Sequence, residues 1–326
     1  NGSVSAIDDL SDGKSGGTDF TGSMILGHET TGTLDAAQYN TAVGINAMDA
    51  VTTGDRNTAI GYDALTSNTT GNENTALGMW ALNANTIGIE NTALSSRALY
   101  SNISGDSNTA SGYYALQSNT TGGANTASGA YTLYSNTTGA YNTAIGSRAL
   151  QENIAATENT ATGYYALRLN TSGDYNTASG SRSLYSNTTG DQNTAIGVNA
   201  LKDNTQGTNN TGSGYEALRN NTTGDGNIGL GYRAGYQITS GDYNIAIGYD
   251  ADVNSSQATN SIVIGKGANG QASNSVTLGN SDVTAVYMAH DSGATVYAAG
   301  LNLSGGTTVS GVKFGTVTMS TNASQA

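Results

Sequence analysis

The chain contains no cysteine and no proline. Without cysteine there is no disulfide framework and no thiol chemistry. Without proline, nothing removes a donor from a backbone hydrogen-bond ladder. Only two histidines occur, His28 and His290, far apart in sequence. Basic residues are also few: 11 Lys and Arg stand against 24 Asp and Glu, for a net charge of −13. That balance disfavours nucleic acid and anionic membranes as partners, and it keeps an extended body soluble and separate. No apolar run is long enough to span a bilayer, so membrane insertion is not expected. No signal peptide is visible, and the chain opens on Asn1 rather than methionine, so it is expected to be part of something longer.

What is abundant is a period. A glycine recurs every 17 residues from Gly27 to Gly265, including Gly61, Gly78 and Gly112, and only Ser95 breaks the series. The unit around it reads NTAIGYDALTSNTTGNE at 57–73 and returns as NTASGYYALQSNTTGGA at 108–124. So short a fixed period marks a solenoid. It holds its register over too many copies for a disordered tract, despite a composition rich in Gly, Asn, Ser and Thr. Helical repeats need more residues, and Gly, Asn, Thr and Ser at fixed places disfavour helix. The prediction is an all-β fold, a parallel β-roll or β-solenoid with one coil per unit. Two strands are expected per coil, NTAxG and AL-x-S. Corners fall at SNTTG, where glycine would supply positive φ, and just after the registering glycine.

Positions are numbered here from the leading asparagine of each unit. Position three is alanine (Ala42, Ala59, Ala76) and position nine is leucine (Leu65, Leu82, Leu116); both are assigned to the interior. Position four accepts Ile60, Leu77 and Ile145 but also Ser111 and Ser128, which suits a subunit seam or a half-covered face. Asn57, Asn74 and Asn108 at position one, and Asn68, Asn85 and Asn119 at position twelve, should stack as side-chain amide ladders. One leucine and two alanines per coil bury little apolar surface against the entropy of ordering 17 residues. An obligate oligomer is therefore expected, most simply a homotrimer.

Positions six and seven alternate between aromatic and cationic residues: Ser96-Arg97, Tyr113-Tyr114, Ala130-Tyr131, Ser147-Arg148, Tyr164-Tyr165 and Ser181-Arg182. Stacking should place Arg148 between Tyr131 and Tyr165, a favourable cation–aromatic arrangement. The same residues, Tyr113, Tyr114, Tyr131, Tyr164 and Tyr165, form a candidate glycan-contact strip. Other sites fail on their own terms. His290-Asp291-Ser292 has triad residue types, but adjacent residues do not converge on one relay. Gly13-Lys14-Ser15 echoes a phosphate loop whose required first glycine is Asp8. The GGxGxD pattern of calcium-binding rolls is absent. Asp106, Asp174, Asp191, Asp225 and Asp242 recur near one corner and suit a solvated edge. No catalytic, metal or cofactor site is expected, and the chain is not expected to be an enzyme.

Three segments follow: a polar, acidic lead-in or joint at 1–20, a solenoid of about sixteen coils at 21–280, and a β-rich capping or connecting segment at 281–326. In the last, Val283, Ala285, Tyr287 and Ala289 alternate as a strand would.

NSIVIGKGANGQASNSVTLGN at 260–280 resembles the head repeat of trimeric autotransporter adhesins, with Gly265 and Gly279 fourteen residues apart. The longer unit NTAxGxxALxSNTTGxx is similar to repeats in tail-fibre and virion structural proteins of bacteriophages. AIDDLSDGKSGG at 6–17 and VTAVYMAHDSGATVYAAGLNLSG at 283–305 resemble segments that flank such rolls. The resemblance implies a left-handed parallel β-roll with three chains side by side, located in a virion tail fibre or other appendage. It also implies other tail or baseplate proteins, and a host surface glycan, as partners. The chain departs from the adhesins in using 17 residues per coil rather than fourteen. A bacterial trimeric surface adhesin or extracellular filament is the alternative. An ice-binding protein is a third possibility, on the threonine column Thr69, Thr120, Thr137 and Thr188.

Overall fold

A computed structural model describes residues 13–15, 24–26 and 37–284. The chain divides into two units, residues 1–282 and 283–326. The described residues lie in the first, apart from Val283 and Thr284. They form an all-β parallel solenoid of about fourteen turns, with no helix among them. Each turn contributes one three-residue strand, from Thr41–Val43 through Thr58–Ile60 and onward to Ile262–Ile264, at an unbroken 17-residue spacing. Every strand pairs in parallel with its neighbours, like on like: Thr58 with Thr75, Ala59 with Ala76, Ile60 with Leu77. Met24–Leu26 joins the same parallel register, and Gly13–Ser15 lies antiparallel to it. The final step is shorter, with Ile262–Ile264 pairing Val276–Leu278 fourteen residues on. His28 and His290 fall outside the described residues, as do the strand residues expected at Ala285, Tyr287 and Ala289.

The strand alternates as a sheet requires: positions two and four face out, position three faces in. Ala59 is fully buried, as are Ala64 and Leu65 from the same turn. The interior is narrow. Where position three is glycine, at Gly212, an added Cβ would already lie 3.1 Å from the Ala217 carbonyl oxygen and 3.3 Å from Leu201 Cγ. Position three beside the leucine column is therefore confined to alanine or glycine, and a larger side chain, Val263, enters where that column has ended.

The expected second strand, AL-x-S, is not a strand. Residues 62–67 are a continuous turn in which Asp63 and Leu65 hold φ of 51° and 53°. The burial shows why. Ala64 and Leu65 are consecutive and both fully buried, whereas consecutive residues of a strand face opposite ways. The left-handed conformation at Leu65 swings its side chain inward beside Ala64. Its N–H donates to the Ala81 carbonyl of the next coil at 2.9 Å, so the turn is still bonded between coils.

Gly71, in the SNTTG corner, also differs from expectation. It has no positive φ, and the left-handed residue is Glu73 two places later, with φ of 58°. Glycine fits best at Gly71, where a Cβ would collide with Asn68 Oδ1 and the Gly88 carbonyl oxygen; Ala156 and Ala258 replace it further along this column. That carbonyl column is where the two asparagine ladders meet. Asn57 Nδ2 and Asn68 Nδ2 both donate to the Gly71 carbonyl, at 2.8 and 2.9 Å. Between coils, the backbone N–H of Asn74 donates to Asn57 Oδ1 at 2.9 Å, and Asn85 Nδ2 to Asn68 Oδ1 at 2.9 Å. Asn108 continues the first ladder, donating to Asn91 Oδ1 at 3.1 Å. These amides are fully buried, and each replaces lost water with partners of its own kind.

The aspartates at position sixteen are more than a solvated edge. Asp174 Oδ1 accepts the backbone N–H of Thr157 at 2.6 Å, and Asp191 Oδ1 accepts that of Asp174 at 2.8 Å. Asp106, Asp225 and Asp242 do the same for Ile89, Thr208 and Asp225. Each carboxylate closes a backbone donor of the preceding coil.

Candidate functional site

Position seven follows the registering glycine, and its left-handed backbone points long side chains outward along one edge of the shaft. Tyr114, Arg97 and Arg148 all hold φ near 60° there. The flat pitch of the stack then brings the residues of successive coils face to face. The Arg97 guanidinium lies 4.5 Å from the Trp80 ring centroid and 5.3 Å from that of Tyr114, to whose hydroxyl it donates at 2.7 Å. Arg148 lies between Tyr131 and Tyr165, at 5.5 and 5.6 Å, and donates to the Tyr165 hydroxyl at 2.6 Å. Tyr114 and Tyr131 stack directly, with centroids 5.3 Å apart and planes at 16°.

Position six adds the outer layer. Tyr113 lies 4.1 Å from Tyr114, edge to face, and Tyr164 lies 4.0 Å from Tyr165. The hydrogen bond between the second pair, together with burial, holds the Tyr164 hydroxyl above the usual phenol range. The same bond, with Arg148 beside it, pulls Tyr165 below that range. Tyr113 is raised likewise by its hydrogen bond to Tyr114. The five tyrosines thus occupy one strip, joined across the middle by Arg148. Within it, Tyr114, Tyr131 and Tyr165 have ring faces covered by arginine or by another ring. Tyr113 and Tyr164, at 45% and 48% exposure, are what a ligand would meet.

The sequence pattern at positions six and seven misses a third column at position ten. Tyr134 lies 5.7 Å from Tyr131 and 6.0 Å from Tyr114. Arg168 lies 5.0 Å from the Tyr165 ring and donates to the Tyr185 hydroxyl at 2.7 Å. Arg219 donates to the Tyr236 hydroxyl at 2.9 Å, and Arg233 lies 4.1 Å from that ring. A signal existed: tyrosine follows the core leucine in Leu99-Tyr100, Leu133-Tyr134 and Leu184-Tyr185. With this column the strip comprises three rows of side chains, at positions six, seven and ten.

The threonine column at Thr69, Thr120, Thr137 and Thr188 is committed to structure. Each hydroxyl donates to a carbonyl of the next coil, as Thr120 does to Thr137 at 3.0 Å. Among the described residues, no three His, Cys, Asp or Glu side chains group closely enough to hold a metal ion. None of the described residues forms a helix long and apolar enough to cross a membrane.

No protein-family model matches the chain, and no curated protein matches it in sequence.

Proposed function

We propose that the chain is the shaft of a trimeric fibre or appendage of a bacteriophage virion, a left-handed roll that supports attachment to a host surface. The observation that carries this reading is the outer face of the sheet. Position four leaves aliphatic side chains outside the fold in most coils, interrupted by Ser111, Ser128, Thr162, Ser179 and Ser213: Ile60 is 40% exposed, Leu77 46%, Ile145 45%, Ile196 49% and Leu278 47%. Aliphatic rows of this kind mark a contact surface. At ~4.8 Å per coil and ~3.3 Å per residue, fourteen three-residue strands present a face of about 67 by 10 Å. That approaches the ~800 Å² per partner of a standard stable interface. Another copy of the same solenoid matches its pitch coil for coil, and closed rotational symmetry keeps equal coils level. The resemblance to adhesin heads supplies the number three. The strip at Tyr113 and Tyr164 is left on another edge, where a host glycan could reach it.

Mass spectrometry of purified particles from the phage carrying this gene, with immunogold labelling, tests the assignment. Labelled tail appendages are expected. Particles without the protein overturn it, and label on a bacterial envelope would favour the surface-adhesin alternative.

Ice binding is a second reading, on a different column from the one the sequence suggested. Position two carries threonine in eleven consecutive coils, Thr41 to Thr211, on the outer face of the sheet. Regularly spaced hydroxyls on a rigid flat face can order water. A trimer seam would cover the same face, so thermal hysteresis by the intact protein would count against the fibre assembly as well as for ice binding.

A further inference from the structure

The leucine column fails in one place. Position nine is Met48, then leucine from Leu65 through Leu218, then Gly235, Asp252 and Asn269 in successive coils. The left-handed backbone of this position continues at Gly235, with φ of 67°, and stops at Asp252, which forms an isolated parallel bridge with Asn269 instead. At Gly235 the core stays filled, by Leu218 and Ile238, which lie 2.6 and 3.2 Å from where a Cβ would stand, and a pocket of about 390 Å³ opens beside Asp252 and Asn269. It is lined by Arg233, Tyr236, Gln237, Asp250, Asp252 and Asn269, among others. Asp252 is 9% exposed, where every other coil that keeps the column buries hydrocarbon. Its carboxylate is held in place by the backbone N–H groups of Gln237 and Val253, both at 2.9 Å. Burial pushes its pKa up to about 6.

A buried carboxylate in place of leucine costs stability, and departures of this kind from a local rule concentrate at functional sites. The cavity is of the size that takes small ligands. Its walls mix acceptors (Asp250, Asp252), donors (Arg233) and amides that do both (Gln237, Asn269). That mixture suits a ligand whose groups each give and accept a hydrogen bond. Two carboxylates against one guanidinium disfavour an acidic ligand. Arg233 already lies on the Tyr236 ring, 4.1 Å from its centroid, so that face is not open to a second cation.

We infer that this cavity binds a single neutral sugar residue, a hexopyranose or its N-acetylated form, at the C-terminal end of the tyrosine strip. The inference rests on the attachment reading only for the source of the sugar, a surface polysaccharide. The sugar's hydroxyls bridge the Asp252 and Asp250 carboxylates to the amides of Gln237 and Asn269. Asp252 is a positioned acceptor that the fold keeps at the expense of its own packing.

Saturation-transfer NMR on the full chain tests this with methyl glycosides of glucose, galactose, mannose and N-acetylglucosamine, and with glucuronate as the acidic control. At least one neutral glycoside should bind, and glucuronate should not. Asp252→Leu, which removes the carboxylate, should abolish binding while the melting temperature holds or rises. Asp252→Asn, which keeps the shape, should weaken binding at least about tenfold and covers the case in which the leucine variant disturbs the fold. Tyr164→Ser should leave this binding intact. Absence of any glycoside signal, equal binding of glucuronate, or binding unchanged in both Asp252 variants would overturn the proposal. Particles found to lack the protein would sink the fibre reading alone, since sugar binding is measured on the isolated chain.

Discussion

Ser95 holds φ of 134° at the position where the other full coils carry glycine between 123° and 144°. In this region a Cβ is strained by its own backbone, at a cost of about 1–3 kcal/mol. The stack adds to it: a Cβ placed on Gly78 in the coil before would lie 2.6 Å from the Ser95 carbonyl carbon, so successive backbones touch along this column. Ser95→Gly should remove the strain, offset in part by the greater freedom of glycine in the unfolded chain. The expected net is a stabilisation of about 1 kcal/mol, read as a higher melting temperature with the circular-dichroism spectrum unchanged. A lower melting temperature would show that the Ser95 side chain makes a contribution the backbone geometry does not reveal.

Along one element of the coil, the side chains that hold the stack are those whose partner is the same residue one turn away. That is why the alanine, leucine and asparagine columns could be read by counting: stacking like on like turns a 17-residue period directly into contacts. The Arg148 neighbourhood was countable for the same reason. What counting does not show is backbone conformation. Bulky residues avoid positive φ, so nothing local announces that Leu65 is left-handed, and Ala64-Leu65 reads as strand. Gly71 reads as a positive-φ corner because glycine most often serves that purpose, whereas here it makes room for the asparagine ladders. The site at Gly235 and Asp252 escaped because it is defined by where the pattern stops. The aspartate column shows how an exposed-looking series can have a structural task. Asp174→Ala leaves the half-buried Thr157 N–H without its 2.6 Å partner, and a loss of about 1–2 kcal/mol is expected. Asp174→Asn should cost less than about 0.5 kcal/mol, since a side-chain carbonyl is enough; Asn72 already serves the N–H of Asp55 in this way at 2.7 Å. Equal melting temperatures for the two variants would mean that water replaces the carboxylate freely.

At the scale of the whole molecule, the sheet face is not uniform along the shaft. Position two is threonine through Thr211 and then becomes Ile228, Ile245, Ile262 and Val276, while position four in the same coils is Leu230, Ile247, Ile264 and Leu278. Beside them Tyr215, Tyr232 and Tyr249 stack nearly parallel, 5.3 and 4.7 Å apart. The last coils therefore present aliphatic pairs where the middle coils present Thr-Ser pairs such as Thr177 and Ser179. Copies set parallel and in register around a common axis match like with like at every level, aliphatic with aliphatic in the last coils and hydroxyl with hydroxyl in the middle ones. Copies that are antiparallel, or displaced by several coils, bury hydroxyls against isoleucine. The gradient thus selects one arrangement from the many that a perfect repeat would allow, which is a requirement of any self-associating periodic surface. A charge placed in that patch tests the arrangement. Ile245→Asp would bring one carboxylate per chain toward the axis at the same height, at an expected cost of ~3 kcal/mol or more, or about a hundredfold in affinity. Native mass spectrometry should show a trimer for the unaltered chain and a shift to monomer for this variant. Tyr243→Asp, at a residue 68% exposed just before the strand and outside its face, is expected to leave the trimer intact. A trimer that survives Ile245→Asp and falls apart with Tyr243→Asp would move the seam off the sheet, and a monomeric parent chain would remove it altogether.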